Sequence, residues 1–123
     1  MMFDPPFVFE KRNRANTYTD KVSSGRFSMN TKGFEELKKH YKGTLKEAYR
    51  ILKKRGVMIF KCQDFTDSKT TITHCFVNQW ANNVGFYVKD LFILLNGKGA
   101  IINKNLNQRH SRKYHCYYFV LIK

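Results

Sequence analysis

Acidic residues are scarce in this chain. Nine Asp and Glu stand against 23 Lys and Arg over 123 residues, a formal net charge of +14. That balance argues for a polyanionic partner, nucleic acid before a membrane surface. Cysteine is limited to Cys62, Cys75 and Cys116. An odd number, each in an apolar stretch, excludes a disulfide framework and reads as reduced core thiols of a cytoplasmic protein. Cys75 follows His74 and Cys116 follows His115, but neither has C-x-x-C or H-x-x-x-H spacing, so no metal site is expected. Long apolar runs are missing too. Val57–Phe60, Leu91–Leu95 and Tyr117–Ile122 are strand length and far too short to span a bilayer. Asp4 interrupts the start where a leader would need its apolar region, and neither a lipidation motif nor an amphipathic basic anchor is present. No membrane partner is therefore expected. No G-x-G follows a candidate strand. Gly97-Lys98-Gly99 lies between two strands without the helix that a nucleotide-binding fingerprint requires.

What is present is globular in class, with 42% hydrophobic and 15% aromatic residues in a length that fits one domain. The chain has only two prolines, and they are adjacent, in Asp4-Pro5-Pro6-Phe7. At about 5% per residue type, this tetrapeptide arises by chance in roughly one chain in a thousand of this size. Two consecutive prolines fix φ and remove two N–H groups, so the segment can neither continue a helix nor pair inside a sheet. What remains is a stiff turn displaying a carboxylate, bare carbonyls and an aromatic ring. A carboxylate and a carbonyl can accept both hydrogens of an exocyclic amine while the ring stacks on the base that carries it. The plainer alternative is an ordinary Pro-Pro turn near a chain end.

Residues 8–32 show no sustained periodicity and carry Lys11, Arg12, Arg14, Lys21, Arg26 and Lys32 against Glu10 and Asp20. Phe34, Leu37, Tyr41, Leu45, Tyr49 and Leu52 then recur at helical spacing, with Gly43 a place where the helix could divide. Lys53-Lys54-Arg55 before Gly56 reads as its stop. Val57–Cys62 suits a buried parallel strand, and a polar turn runs on to Lys69. A second helix is predicted over Thr71–Val84, with Ile72, Cys75, Phe76, Trp80 and Val84 inward and Gly85 closing it. Phe86–Leu95 is the next strand, 96–113 a polar connection, and Tyr114–Ile122 the last strand.

Four segments extend this order into a family likeness. The chain resembles the amino-methyltransferases of DNA, which use S-adenosylmethionine to methylate adenine N6 or cytosine N4. Asp4-Pro5-Pro6-Phe7 is similar to their catalytic motif, and Lys46-Glu47-Ala48-Tyr49-Arg50-Ile51-Leu52-Lys53 before Gly56 to the helix ending "E-x-x-R-V-L-K-P-G-G". Ile59-Phe60-Lys61-Cys62-Gln63-Asp64 looks like the fifth strand, and Asn107–His115 like the approach to the final one. The resemblance implies an α/β, partial Rossmann-like methyltransferase fold, from the end of strand 4 to strand 7, its sheet mostly parallel with an antiparallel last strand. It implies a single partial domain over 1–123: catalytic turn and basic loop over 1–32, helix-strand-helix-strand over 33–95, basic loop over 96–113, last strand over 114–123. The family's glycine-rich cofactor loop and ribose-binding acid have no counterpart. The chain is therefore expected to be a catalytic half that needs an N-terminal half for S-adenosylmethionine, or that self-associates.

In open α/β sheets ligands bind beyond the carboxyl ends of the strands. The catalytic turn, loop 8–32, Gln63-Asp64 and loop 96–113 should share that rim. Asp4, Pro5, Pro6 and Phe7 are the catalytic candidates. Asp64 is a candidate for the cofactor, or a cap for the following turn. Lys11, Arg12, Arg14, Lys98, Lys104, Arg109, Arg112 and Lys113 are candidates for phosphate contacts, DNA ahead of RNA. His110 and His115 read as solvated or strand-face residues. Reaching an amine in a duplex would require base flipping, which an aromatic platform suits. The alternatives to an enzyme are a non-catalytic basic module that grips nucleic acid, and an inactive remnant or partner subunit of a methyltransferase.

Overall fold

A computed structural model describes residues 1–5, 34–66, 70–97 and 113–123. Their elements are strand β1 (Met2–Phe3), helix α1 (Phe34–Ile51), strands β2 (Val57–Cys62), β3 (Phe65–Thr66) and β4 (Thr70–Thr71), helix α2 (Thr73–Val84), and strands β5 (Tyr87–Leu95) and β6 (His115–Ile122). The main sheet has the order β1-β2-β6-β5. β1 runs parallel to β2, whereas β6 is antiparallel to both β2 and β5. Three strands therefore point one way and the last points back, as expected. β2 itself is flanked by one parallel and one antiparallel neighbour, and its burial alternates instead of being continuous. The polar turn after Asp64 is a small antiparallel hairpin of β3 and β4.

α1 is one helix. Leu37, Tyr41, Leu45 and Ala48 form its buried stripe, and Gly43 sits on the exposed side without dividing it. A mid-helix glycine costs about 1 kcal/mol, less than one fully buried Leu returns at about 1.5–3 kcal/mol. Glu35 and Glu36 in the first turn and Arg50 in the last complement the helix dipole. The turn after the helix differs from expectation, because Arg55, not Gly56, takes the left-handed conformation (φ 64°). Gly56 is needed for space: a Cβ there would lie 2.7 Å from the Lys53 carbonyl oxygen.

α2 begins at Thr73 instead of Thr71, since Thr70 and Thr71 pair in the hairpin. Its inward face is Thr73, Val77, Trp80 and Ala81, while Ile72, Cys75 and Phe76 are exposed. The predicted face was thus rotated, and Cys75 is a surface thiol, not a core one. Trp80 is core, stacked on Phe76 and near Phe34 of α1. One hydrophobic cluster joins both helices to Met58, Phe60 and Cys62 of β2 and to Tyr117, Phe119 and Leu121 of β6. Both described helices therefore cover the same face of the sheet. No helix among the described residues is long and apolar enough to cross a membrane.

Candidate active site

Because β1, β2 and β5 share a direction, the residues following them and those preceding β6 gather at one end of the sheet. Asp4 and Pro5 follow β1, Gln63 and Asp64 follow β2, and Asn96 follows β5. Lys113 and Tyr114 lead into β6. The Asn96 N–H donates to the Tyr114 carbonyl at 2.6 Å, closing the two strands together. Gln63 Nε2 donates to the His115 carbonyl at 2.8 Å, tying the end of β2 to the start of β6.

Phe3 anchors the Asp4-Pro5 turn from inside. Its ring packs on Tyr41 and Phe60, with centroids 6.2 and 4.9 Å away. Met2 is abreast of Ile59 and Phe3 of Phe60, so the parallel register brings Asp4 alongside Lys61. Lys61 Nζ lies 3.0 Å from Asp4 Oδ1 and 3.1 Å from Oδ2. The Lys61 side chain is 17% exposed and that of Asp4 50%, while Pro5 is buried. Burial works to lower the Lys61 pKa, but the hydrogen bond and charge of Asp4, with help from Tyr118, outweigh it and the value is raised. The ammonium also stands 5.6 Å above the Tyr118 ring. Sequence reasoning missed Lys61. Its signal was the register, a basic residue facing Asp4 across neighbouring strands.

Beside this pair a cavity of about 530 Å³ opens, lined by Lys61, Gln63, Leu94, Lys113, Tyr114 and His115 among others. Lys113, a candidate phosphate contact, thus belongs to the same rim as Asp4's partner. A second cavity of about 540 Å³ runs along α1 beside Met1, His40, Ala48 and Ile51, away from these groups. Pro6, Phe7, Lys11, Arg12, Arg14, Lys98, Lys104, Arg109 and Arg112 lie outside the described residues.

Asp64 is 6% exposed and surrounded by donors. One oxygen accepts the His74 backbone N–H at 3.1 Å, both approach His74 Nδ1 at 2.9 Å, and Tyr117 donates its hydroxyl at 3.3 Å. The carboxylate caps the first turn of α2, whose own N-cap residue Ile72 has no side-chain oxygen to offer. Burial, and then the charge of Asp64, raise the Tyr117 pKa, which keeps that hydroxyl a donor. His115 Nε2 completes the network at 2.9 Å from the Tyr117 oxygen. This geometry supports the capping role for Asp64. Contact with a cofactor hydroxyl would require it to surrender bonds that hold α2. Asp64 as placed does not fit a ligand of S-adenosylmethionine.

Neither a protein-family model nor a curated protein matches this chain. Among solved structures it is similar to a protein of Thermus thermophilus provisionally assigned as a DNA modification methylase, with a TM-score of 0.54 and 17% identity. The match covers 72% of this chain and 37% of the other. The chain thus spans little more than a third of that protein's length. At this identity the likeness establishes a shared fold: a mixed α/β sheet with parallel strands that resembles part of a Rossmann-like methyltransferase.

Proposed function

We propose that this chain is the base-capturing part of an S-adenosylmethionine-dependent methyltransferase that acts on an exocyclic amine of a nucleic-acid base, DNA before RNA. The observation that carries the reading is Asp4-Pro5 at the carboxyl end of β1, held beside Lys61 on the rim where open α/β sheets bind ligands. The similarity to a methylase fold supports it. When bound, the cofactor would supply an electrophilic methyl group. This chain's own residues orient the target. The Asp4 carboxylate and the Pro5 carbonyl accept the two amine hydrogens, Phe7 stacks on the flipped base, and Lys113 with the basic loops neutralises phosphates. Positioning and electrostatics supply most of the acceleration in such an arrangement.

A second reading is a basic nucleic-acid-binding module without catalysis. It draws support from the Lys61 ammonium, which already occupies both oxygens of Asp4, and from the net charge of +14. The test measures tritium moved from S-adenosylmethionine to DNA, by the chain alone and with a separately expressed cofactor-binding domain. Transfer is expected in the complex, lost in Asp4→Ala with DNA affinity nearly intact. Phe7→Ala should weaken base capture by about 1–3 kcal/mol. Transfer that survives Asp4→Ala moves the chemistry elsewhere, and DNA binding without any transfer establishes the module.

A further inference from the structure

The network around Asp64 has an outer end that the reading above does not use. His74 Nδ1 lies 2.9 Å from both oxygens of Asp64. An ionised carboxylate only accepts, so Nδ1 carries the proton, and whenever the ring is neutral Nε2 is the acceptor. That nitrogen stands 3.5 Å from Cys75 Sγ. The imidazole is held on a second side by stacking on Tyr117, with centroids 4.1 Å apart. Asp64 is itself fixed by the His74 backbone N–H and the Tyr117 hydroxyl. The three groups grade outward, Asp64 buried, His74 with 25% of its side chain exposed, Cys75 on the surface. Orienting acid, base and accessible nucleophile are thus lined up in the order that thiol activation requires. Cys75 is also the third residue of α2, at the exposed start of that helix. Cys62, by contrast, is buried and Cys116 half-buried.

We propose that Cys75, His74 and Asp64 form a thiol-activating site that exchanges with low-molecular-weight disulfides. The sulfur sits on an exposed helix end and lines neither of the two cavities described above, which suits a small, unconstrained electrophile. In the exchange, His74 Nε2 takes the Cys75 proton and the thiolate attacks one disulfide sulfur. A bond forms between Cys75 Sγ and that sulfur as the original S–S bond breaks, and the departing thiolate takes the proton from His74. Cys75 is oxidised to a mixed disulfide and the leaving sulfur is reduced to a thiol, so no further reactant is needed. Asp64 is a positioning residue, holding the tautomer that leaves Nε2 unprotonated. This inference does not depend on the proposed methyltransferase role.

The test is alkylation of the full chain by iodoacetamide near neutral pH, followed peptide by peptide by mass spectrometry. Cys75 in the folded chain should react roughly tenfold or more faster than in the urea-unfolded chain, as a positioned base beside the thiol produces. Cys62 and Cys116 should react more slowly folded than unfolded. His74→Asn keeps a donor toward Asp64 but has no second ring nitrogen, and should lose the acceleration while circular dichroism stays unchanged. Oxidised glutathione should place one glutathionyl group on the Cys75 peptide. A folded Cys75 no faster than the unfolded one overturns the proposal, and that comparison needs no variant. So does an unchanged rate in folded His74→Asn, or glutathionylation that prefers Cys116.

Discussion

Cys62 and Tyr41 are fully enclosed, and their ionisation couples this core to pH. Burial, then the charges of Asp64 and Cys116, push the Cys62 thiol upward. Burial, then Cys62 and Asp4, do the same for the Tyr41 phenol. In both cases the fold holds a proton that the unfolded chain releases sooner. Stability is therefore complete below the unfolded values and falls as pH rises past them. The decline should begin near pH 8.5–9 with Cys62 and steepen above about 10 with Tyr41, each group contributing up to about 1.4 kcal/mol per pH unit. Urea midpoints measured from neutral to alkaline pH will show this, and Cys62→Ala should remove the earlier limb while lowering stability at neutral pH. A midpoint flat beyond pH 10 would contradict it. Single residues were unevenly legible in the sequence. The buried stripe of α1 could be read because each of its positions answers to one helix period. Lys61 could not, since its meaning depends on which residue lies across the sheet. Asp64 was readable only as a choice between cap and ligand, because His74 and Tyr117 reach it from ten and 53 positions away.

Element by element, the strands and helices stood out where one side is buried, and their ends did not. α2 shows why. Counting Cys75, its apolar residues span a wide arc, so the pattern allowed a face containing Cys75 and Phe76 instead of Val77 and Ala81. Packing against α1 selected the second. The hairpin of β3 and β4 was missed because two-residue strands carry no period. The close of α2 at Gly85 was legible because its chemistry is local. Gly85 has φ 111°, and its N–H bonds to the Ala81 and Asn82 carbonyls end the helix. A Cβ there would also meet the Tyr49 hydroxyl at 3.0 Å. Gly85→Ala should therefore cost about 1–3 kcal/mol through left-handed strain, with more where Tyr49 cannot yield. Chemical denaturation measures this directly. A loss below about 0.5 kcal/mol, the range of an ordinary surface change, would mean that the α1–α2 contact gives way freely.

At the scale of the whole molecule, two forces act in opposite directions with salt. The basic charge favours nucleic acid, and binding should weaken as salt rises. Neutralising Arg109, Arg112 and Lys113 together should flatten the slope by up to about 0.9 log units per lost phosphate contact on duplex DNA. An unchanged slope in a salt titration would shift the contact surface to the basic side of α1.

Apolar surface acts the other way. Both described helices cover one face of the sheet, and along β5 the five residues Leu91 to Leu95 are between 44% and 72% exposed. Among the described residues β5 ends the sheet and pairs only with β6. Its first half is blunted by an irregularity between Val88 and Asp90 and by the charges of Lys89 and Asp90. Its second half carries neither device. Two copies could pair antiparallel about Ile93, setting Leu91 opposite Leu95 and Phe92 opposite Leu94, and bury this stretch from both chains. The charge of +14 opposes that contact at low salt. Screening should release it, since the Debye length falls from about 10 Å at 0.1 M to about 3 Å at 1 M. We therefore expect light scattering at micromolar concentration to report a mass that grows with salt, and Ile93→Lys to restore the monomer without loss of helix content. A monomer at every salt concentration would show that the edge is protected within the chain itself. Growth that persists in Ile93→Lys would transfer the contact to the sheet face opposite the described helices, which bears Ile59, Tyr118 and Val120.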